Sequence, residues 1–421
     1  MRKWSFLTLV LVMALALPVF GQPVQAQDDG EPLKIGLLTD LTGALQIYGV
    51  ELNNGFMLGL EYATGGTMEV AGRPIEVIVR DYANDADLAA TQTRELLEVE
   101  GVEVLAGAPS SLVTQGLVSI AAEYDVVLMA GPAAAKNLTT DLFEPTTFRA
   151  CRNSWHDAKV LAPYWAEAVG DTFIQLAADY AFGREEAEAF EYYLIQEGVQ
   201  PVSETIYAPA DTTDFTPYLQ QILDSGADGV IYIWAGATTI PLVQQIQEMG
   251  VTEAMPALAF FNSNELQLAF ADATIIPSDG FIVYHYTLPD NEVNDWLVER
   301  HKEVYDDVPD LFTECGFANA QALVLGLEAS EGSTFTEDLI PALENIGSWE
   351  GPKGTYTMRP EDHSALMPMY AVRITNLDDP EFRFYELLAE IEIDEIPCEA
   401  GADRSSETLD CTPLAEREAA E

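Results

Sequence analysis

What most constrains this chain is a rhythm. Short apolar runs alternate with amphipathic helical stretches along most of its length. Ile35 to Leu38 is rich in strand formers, and Leu52, Phe56 and Leu60 follow at four-residue spacing. Ile75 to Val79 reads as a strand, Leu88 to Glu98 as a helix and Val102 to Ala106 as a strand. A helix from Ser111 to Tyr124 and a strand from Val126 to Ala130 complete the set. Such alternation gives βαβ units, and hence a parallel sheet with helices on both faces.

The rhythm restarts after Phe148-Arg149. Strands at 172–177, 202–207, 230–234 and 256–260 alternate with helical stretches at 182–196, 218–223 and 241–249. Gly198 and Gly250 stop two of those helices, and Pro241 suits a first helical turn. No Gly/Ser linker divides the two sets, so two α/β lobes joined by crossing strands are expected. The later pieces are strands at 281–286 and 369–374 and helices at 292–305, 317–329 and 335–346, with a turn at 351–354. They suit a chain that returns to finish each lobe.

Before the first strand stand Met1-Arg2-Lys3, an apolar run from Trp4 to Phe20, and the small-x-small triplet Val24-Gln25-Ala26. That order reads as a signal peptide over residues 1–26. An uncleaved anchor is the other reading, but the run is short for a span of ~20 residues. Export permits disulfides. Cys398 and Cys411 sit close together in an acidic tail over 389–421, and pairing them would close a small loop. Cys151 and Cys315 are either a second bridge or two buried thiols. Against 70 acidic residues stand 19 Lys and Arg, a net charge of −51. That field repels phosphate and anionic lipid, which argues against nucleic-acid partners and membrane-surface binding.

Catalytic and metal signatures are absent: four His, and no HExxH, GxSxG, P-loop, GxGxxG or zinc spacing. The reading is therefore no enzyme and no cofactor. Asp85-Ala86-Asp87 looks like the start of a calcium loop, but lacks its Gly and Glu and reads better as a helix cap. The distinctive segments follow strand ends, where open parallel sheets take ligands. Gly107-Ala108-Pro109-Ser110-Ser111 leads into a helix, where hydroxyls and free N–H groups would receive a carboxylate; a plain Ser cap is the bland alternative. Gly131-Pro132-Ala133-Ala134-Ala135 is a small-residue loop that a ligand could approach closely. Tyr48, before Gly49, would supply an aromatic wall.

These residues, in this order, resemble a known family. Thr42-Gly43, Tyr48-Gly49, Gly107 to Ser111 with Thr114-Gln115, and Gly131 to Ala134 carry the likeness. So do Phe148-Arg149, Phe182-Gly183, Ala235-Gly236, Gly316-Phe317 and Gly351 to Thr355. The chain resembles the solute-binding proteins of ABC importers, in the leucine-binding-protein-like (branched-chain amino-acid and amide) branch of the class I Venus-flytrap fold. The likeness spans about Pro32 to Leu388. It implies an α/β fold of two doubly wound parallel-sheet lobes joined by three crossing segments. These are expected near 148–152, 280–286 and 353–358. Lobe one would comprise 33–149 plus 282–355, and lobe two 150–281 plus 356–388.

The resemblance also implies roles. Ser110 and Ser111 would receive the ligand carboxylate, and Ala133, Ala134 and Ala135 would line the loop beside it. Ala135 stands where the family has a Thr. Tyr48 would wall the pocket from lobe one, and Phe182, Tyr180, Trp234, Gly236 and Phe261 from lobe two. Cys315 and Phe317 would open a helix facing the pocket. The family's lobe-two acid, which pairs with an α-ammonium, is expected to be missing near Phe261. An aromatic or apolar carboxylate, or an amide, is therefore the expected ligand; Trp155, Trp234, Phe260 and Phe261 could stack on it. A monomer that hands its ligand to a membrane permease is implied, with signalling to a membrane receptor as the alternative.

Overall fold

A computed structural model describes residues 30–269, 271–274 and 276–391. The leader and the Cys398–Cys411 pair lie outside them.

The first half follows its predicted pattern, with two further strands of two residues each. Strands β1 (Leu33–Thr39), β2 (Glu69–Val70), β3 (Arg73–Asp81), β4 (Val104–Gly107), β5 (Val127–Ala130) and β6 (Thr147–Phe148) form one sheet in the order β2-β3-β1-β4-β5-β6. All neighbours are parallel except β2 with β3. Helices α1 (Gln46–Ala63), α2 (Ala86–Glu95) and α3 (Ser111–Tyr124) make its crossovers. Asp85 is indeed a cap: its carboxylate accepts the Leu88 N–H at 2.9 Å.

The second half contains α4 (Ser154–Val169), β7 (Thr172–Ala178), α5 (Ala181–Gln196), β8 (Gln200–Pro201), β9 (Ile206–Ala208), α6 (Thr216–Asp224), β10 (Gly229–Ile233), α7 (Thr239–Glu248), α8 (Val251–Ala254), β11 (Ala257–Phe260), α9 (Asn264–Ala269) and β12 (Ser278–Ile282). The chain then returns to the first half as α10 (Glu292–Tyr305), α11 (Thr313–Ala329) and α12 (Thr336–Glu344).

Strands β13 (Ser348–Gly351), β14 (Gly354–Arg359) and β15 (Ser364–Leu366) form a small antiparallel sheet. Residues 353–358, expected to cross between lobes, fall within it because the turn at 351–354 closes a hairpin. The chain enters the second sheet at β16 (Met369–Ile374) and ends as β17 (Tyr385–Ile391). That sheet runs β17-β16-β12-β11-β10-β7-β8, with β16 and β17 antiparallel at its edge. Residues 389–391, expected in the tail, are paired strand.

Helix α11 is buried nearly all round and lies hard against α1. Glycines permit the approach. A Cβ on Gly55 would stand 1.9 Å from the Thr313 carbonyl oxygen, and one on Gly316 2.4 Å from that of Leu52. Asn319, deep in α11, donates to the Ala130 carbonyl at 3.0 Å and accepts the Ala150 N–H at 2.9 Å. Cys151 and Cys315 are joined as a disulfide, with Cα atoms 5.1 Å apart. The first crossing segment is thus tied to the lobe-one helix at Ala150 and at Cys151.

Candidate functional site: a cleft between the lobes

Parallel strands deliver their following loops to one edge, and here both sheets turn that edge toward each other. The loops after β4 and β5 bring Pro109, Ser111, Pro132 and Ala134 to a cleft from the first sheet. Those after β7, β10 and β11 bring Tyr180, Phe182, Trp234, Ala235, Phe261 and Asn262 from the second. Tyr48 on α1 and Leu311-Phe312 before α11 close one side. The space is about 650 Å³, its mouth included, and aromatic rings dominate the walls.

The floor is polar. Ser111 opens α3, where the first-turn N–H groups have no partner within the helix. Its Oγ accepts the Ala135 N–H at 3.2 Å, which leaves the hydroxyl proton free to be donated into the cleft. Opposite stands Arg152, buried at the end of the first crossing segment. Its guanidinium donates to the Pro132 carbonyl at 3.3 Å, lies 3.3 Å from the Asp157 carboxylate and covers the Phe312 ring at 5.3 Å. Asp157 sits in the first turn of α4, whose cap is Asn153: that side chain accepts the Trp155 and His156 N–H groups.

Burial pushes the Asp157 carboxyl up to about 6, against the pull of Arg152. Glu186, fully buried on α5, is pushed upward by burial and then by the Asp157 charge. The floor therefore offers one fixed cation, one adjustable acid, a hydroxyl and a helix N-terminus.

The two sides are latched. Tyr48 donates its hydroxyl to Asn262 Oδ1 at 3.0 Å and accepts the Gly236 N–H at 3.3 Å. The Ala237 N–H reaches the Ala44 carbonyl at 3.2 Å, and the Asn264 N–H reaches Asp310 at 2.7 Å. Each bond spans the lobes, so this is a closed arrangement.

Of the residues singled out by sequence, Tyr48, Ser111, Ala134, Tyr180, Phe182, Trp234 and Phe261 line the cleft. Others do not. Ser110 is buried at the α3 cap, its N–H toward the Tyr82 hydroxyl at 3.4 Å. Ala133 and Ala135 pack into the core below, where the Ala135 carbonyl accepts from Arg149 at 2.6 Å. Gly236 acts through its N–H on Tyr48. Cys315 is held in its disulfide, and Phe317 packs with Leu58 and Tyr62, because α11 turns that face to α1 and α10. Trp155 lies against Tyr192 and Tyr193, away from the cleft. The carboxylate that lines the cleft is that of Asp157, on α4, far in sequence from Phe261. Arg152, Asp157, Asn262 and Phe312 were not singled out as site residues; the scarcity of cations made a buried Arg beside a helix cap the one available clue.

Comparison with known proteins agrees with this architecture. A Leu/Ile/Val-binding protein homolog of Brucella melitensis is 24% identical over 377 residues, covering 86% of this chain and 93% of the relative. The crystal structure of an ABC-type branched-chain amino acid transporter protein from Rhodopseudomonas palustris is 34% identical. It superposes with a TM-score of 0.71 and covers 86% of this chain and 98% of that one. Another R. palustris solute-binding protein, solved in complex with 4-hydroxybenzoate, shares the fold at 19% identity with a TM-score of 0.77, covering 86% of this chain and 97% of that one. The periplasmic binding protein family matches over residues 32–379, and with two parallel-sheet lobes around a ligand-sized cleft, the chain belongs to that family of solute-binding proteins.

Proposed function

We propose that this protein is exported, captures a small organic carboxylate with an aromatic or apolar body between its lobes, and delivers it to an ABC importer. In this reading the lobes comprise 33–149 plus 282–366 and 150–281 plus 367–391. The observation that carries the proposal is the composition of the cleft: rings from both lobes around a floor of Ser111, Arg152 and Asp157. The Ser111 hydroxyl and the α3 N-terminus receive the carboxylate, Arg152 supplies the positive charge, and the rings enclose the body. The 4-hydroxybenzoate complex supports the capacity of the fold for such acids; the assignment rests on the lining.

One observation favours a second reading. Among the described residues Asp157 Oδ1 has no hydrogen-bond partner, and an α-ammonium group would meet it. The test is calorimetric titration of the exported chain with benzoate, 4-hydroxybenzoate, L-phenylalanine and L-leucine, beside native mass spectrometry of whatever co-purifies. Tighter binding of the two benzoates, which carry no ammonium group, is expected. Binding of the amino acids alone would transfer the assignment to the second reading. Ser111→Ala should weaken the tightest ligand by ~1–3 kcal/mol, the value of a hydrogen bond to a charged group; unchanged affinity would remove the carboxylate from that position.

A further inference from the structure

One helical turn along α1 from Tyr48, Glu51 faces a second cavity, of about 1060 Å³ with its mouth included. Its walls come from both lobes: α1 on one side, α9 on the other, and the 301–313 stretch leading into α11. Four carboxylates line it, those of Glu51, Glu265, Asp307 and Asp310, and no Lys or Arg does so. Acidity alone means little in this chain, but two buried polar side chains here are incompletely partnered. Glu51, 7% exposed, uses Oε2 to accept the Phe312 N–H at 2.9 Å and has nothing on Oε1. Asn264, 4% exposed, has no partner among the described residues on either Oδ1 or Nδ2. Such groups are costly to bury unmet. Burial, then the Asp310 charge, pushes the Glu51 carboxyl well above its ordinary range, and burial pushes Asp310 up to about 7. The carboxyls of Glu265 and Asp307 add to that repulsion. His301, the one basic side chain in the lining, is itself pushed down by burial, its Nδ1 2.8 Å from the Asp307 carbonyl oxygen.

The two acceptors among these atoms, Glu51 Oε1 and Asn264 Oδ1, would be met by a cation that carries hydrogen-bond donors. Among the described residues no group of His, Cys, Asp and Glu is arranged to hold a metal ion. The remaining walls include Val50, Leu268 and Phe382, which suit hydrocarbon. We propose that this cavity binds a small alkylammonium cation, its charged head taken by Glu51, Asp310 and the Asn264 amide oxygen, its chain along Val50 and Leu268. The site touches both lobes and one of the bonds that latch them. Glu51 holds the backbone of Phe312, a wall of the main cleft, and Asp310 holds the Asn264 N–H across the lobes. An occupant therefore favours the closed arrangement and strengthens ligand binding in the cleft, with the reciprocal effect required by linkage.

The experiment is calorimetry of n-butylammonium and 1,4-diaminobutane chlorides against the exported chain at pH 7.5 in 150 mM NaCl. The expected result is one saturable site, weakened at least tenfold by Glu51→Gln and by Asn264→Ala. Should Glu51→Gln fail to fold, as judged by circular dichroism, Asn264→Ala alone carries the comparison. Absence of a saturable site would overturn the proposal. So would equal binding by the folded variants, which would reduce the effect to attraction by the acidic surface, or displacement by millimolar magnesium, which would make the occupant a metal. The aromatic-acid titrations of the main cleft are read separately, so failure here leaves that assignment intact.

Discussion

Removing the Tyr48 hydroxyl should loosen closure without unfolding anything. In the closed form that oxygen makes two bonds across the lobes, to Asn262 Oδ1 and from the Gly236 N–H, at 3.0 and 3.3 Å. When the lobes separate, all three groups reach water. Tyr48→Phe therefore acts on the closed state alone. Each neutral hydrogen bond contributes ~0.5–1.5 kcal/mol net, so the pair contributes ~1–3 kcal/mol to closure, or roughly 5- to 150-fold in an equilibrium constant. Where ligand is held in the closed form, that factor passes into apparent affinity and chiefly into the dissociation rate. Stopped-flow tryptophan fluorescence, with Trp234 in the cleft wall as reporter, measures the rate, and calorimetry the affinity. The ligand-free melting temperature should stay unchanged. Affinity within twofold of the parent would refute the latch, as would an equal loss of stability with and without ligand, which would mark the hydroxyl as ordinary core structure.

Other consequences follow from packing and charge. Gly55→Ala places a methyl against the Thr313 carbonyl at the α1–α11 contact and should cost roughly 3 kcal/mol in denaturant unfolding; a midpoint unchanged from the parent would mean that the helices separate freely. Reducing the Cys151–Cys315 bridge opens a loop spanning 164 residues, up to about 5 kcal/mol in the chain-entropy model. The melting temperature should fall with dithiothreitol, and a Cys151→Ala/Cys315→Ala chain should show no such response. Asp40, Asp157 and Asp310 are raised by burial to about 6, 6 and 7. Those three groups bind more protons in the folded chain, so their share of stability is lost as pH rises through that range, while His156, His285 and His301, pushed down by burial, contribute in the opposite sense. At fixed ionic strength the melting temperature between pH 5.5 and pH 8 should therefore fall more, or rise less, in the parent than in Asp310→Asn; identical changes would show that this carboxyl is not desolvated.

The rhythm of strands and helices was legible because it is local: period and punctuation place β1, β3, β4 and β5 and α1 to α3 without reference to the rest of the chain. Ser111 was legible for the same reason, since a Ser at a strand-to-helix junction carries its own geometry. Arg152 and Asp157 were not. With 70 acidic residues no single carboxylate stands out, and their pairing is made by the crossing segment meeting α4. Cys315 and Phe317 were misassigned because α11 is apolar on every side, so periodicity gives no face to distinguish the cleft from α1 and α10. The edge strands β16 and β17 return from far along the chain, and hydrophobic pattern alone does not set their antiparallel direction.

The tether around Ala150 also fixes where the molecule bends. With Asn319 gripping the backbone at one residue and the sulfur bridge at the next, the first connecting strand travels as part of α11's half up to Cys151. Rotation along that strand is thereby confined to the few bonds before Asn153 caps α4. Arg152 sits on the pivot itself, beside the moving helix that carries Asp157. Swinging the halves apart would pull Asp157 away from Arg152, so in the proposed function a guest's charge would be felt at the hinge rather than at the tips of the jaws.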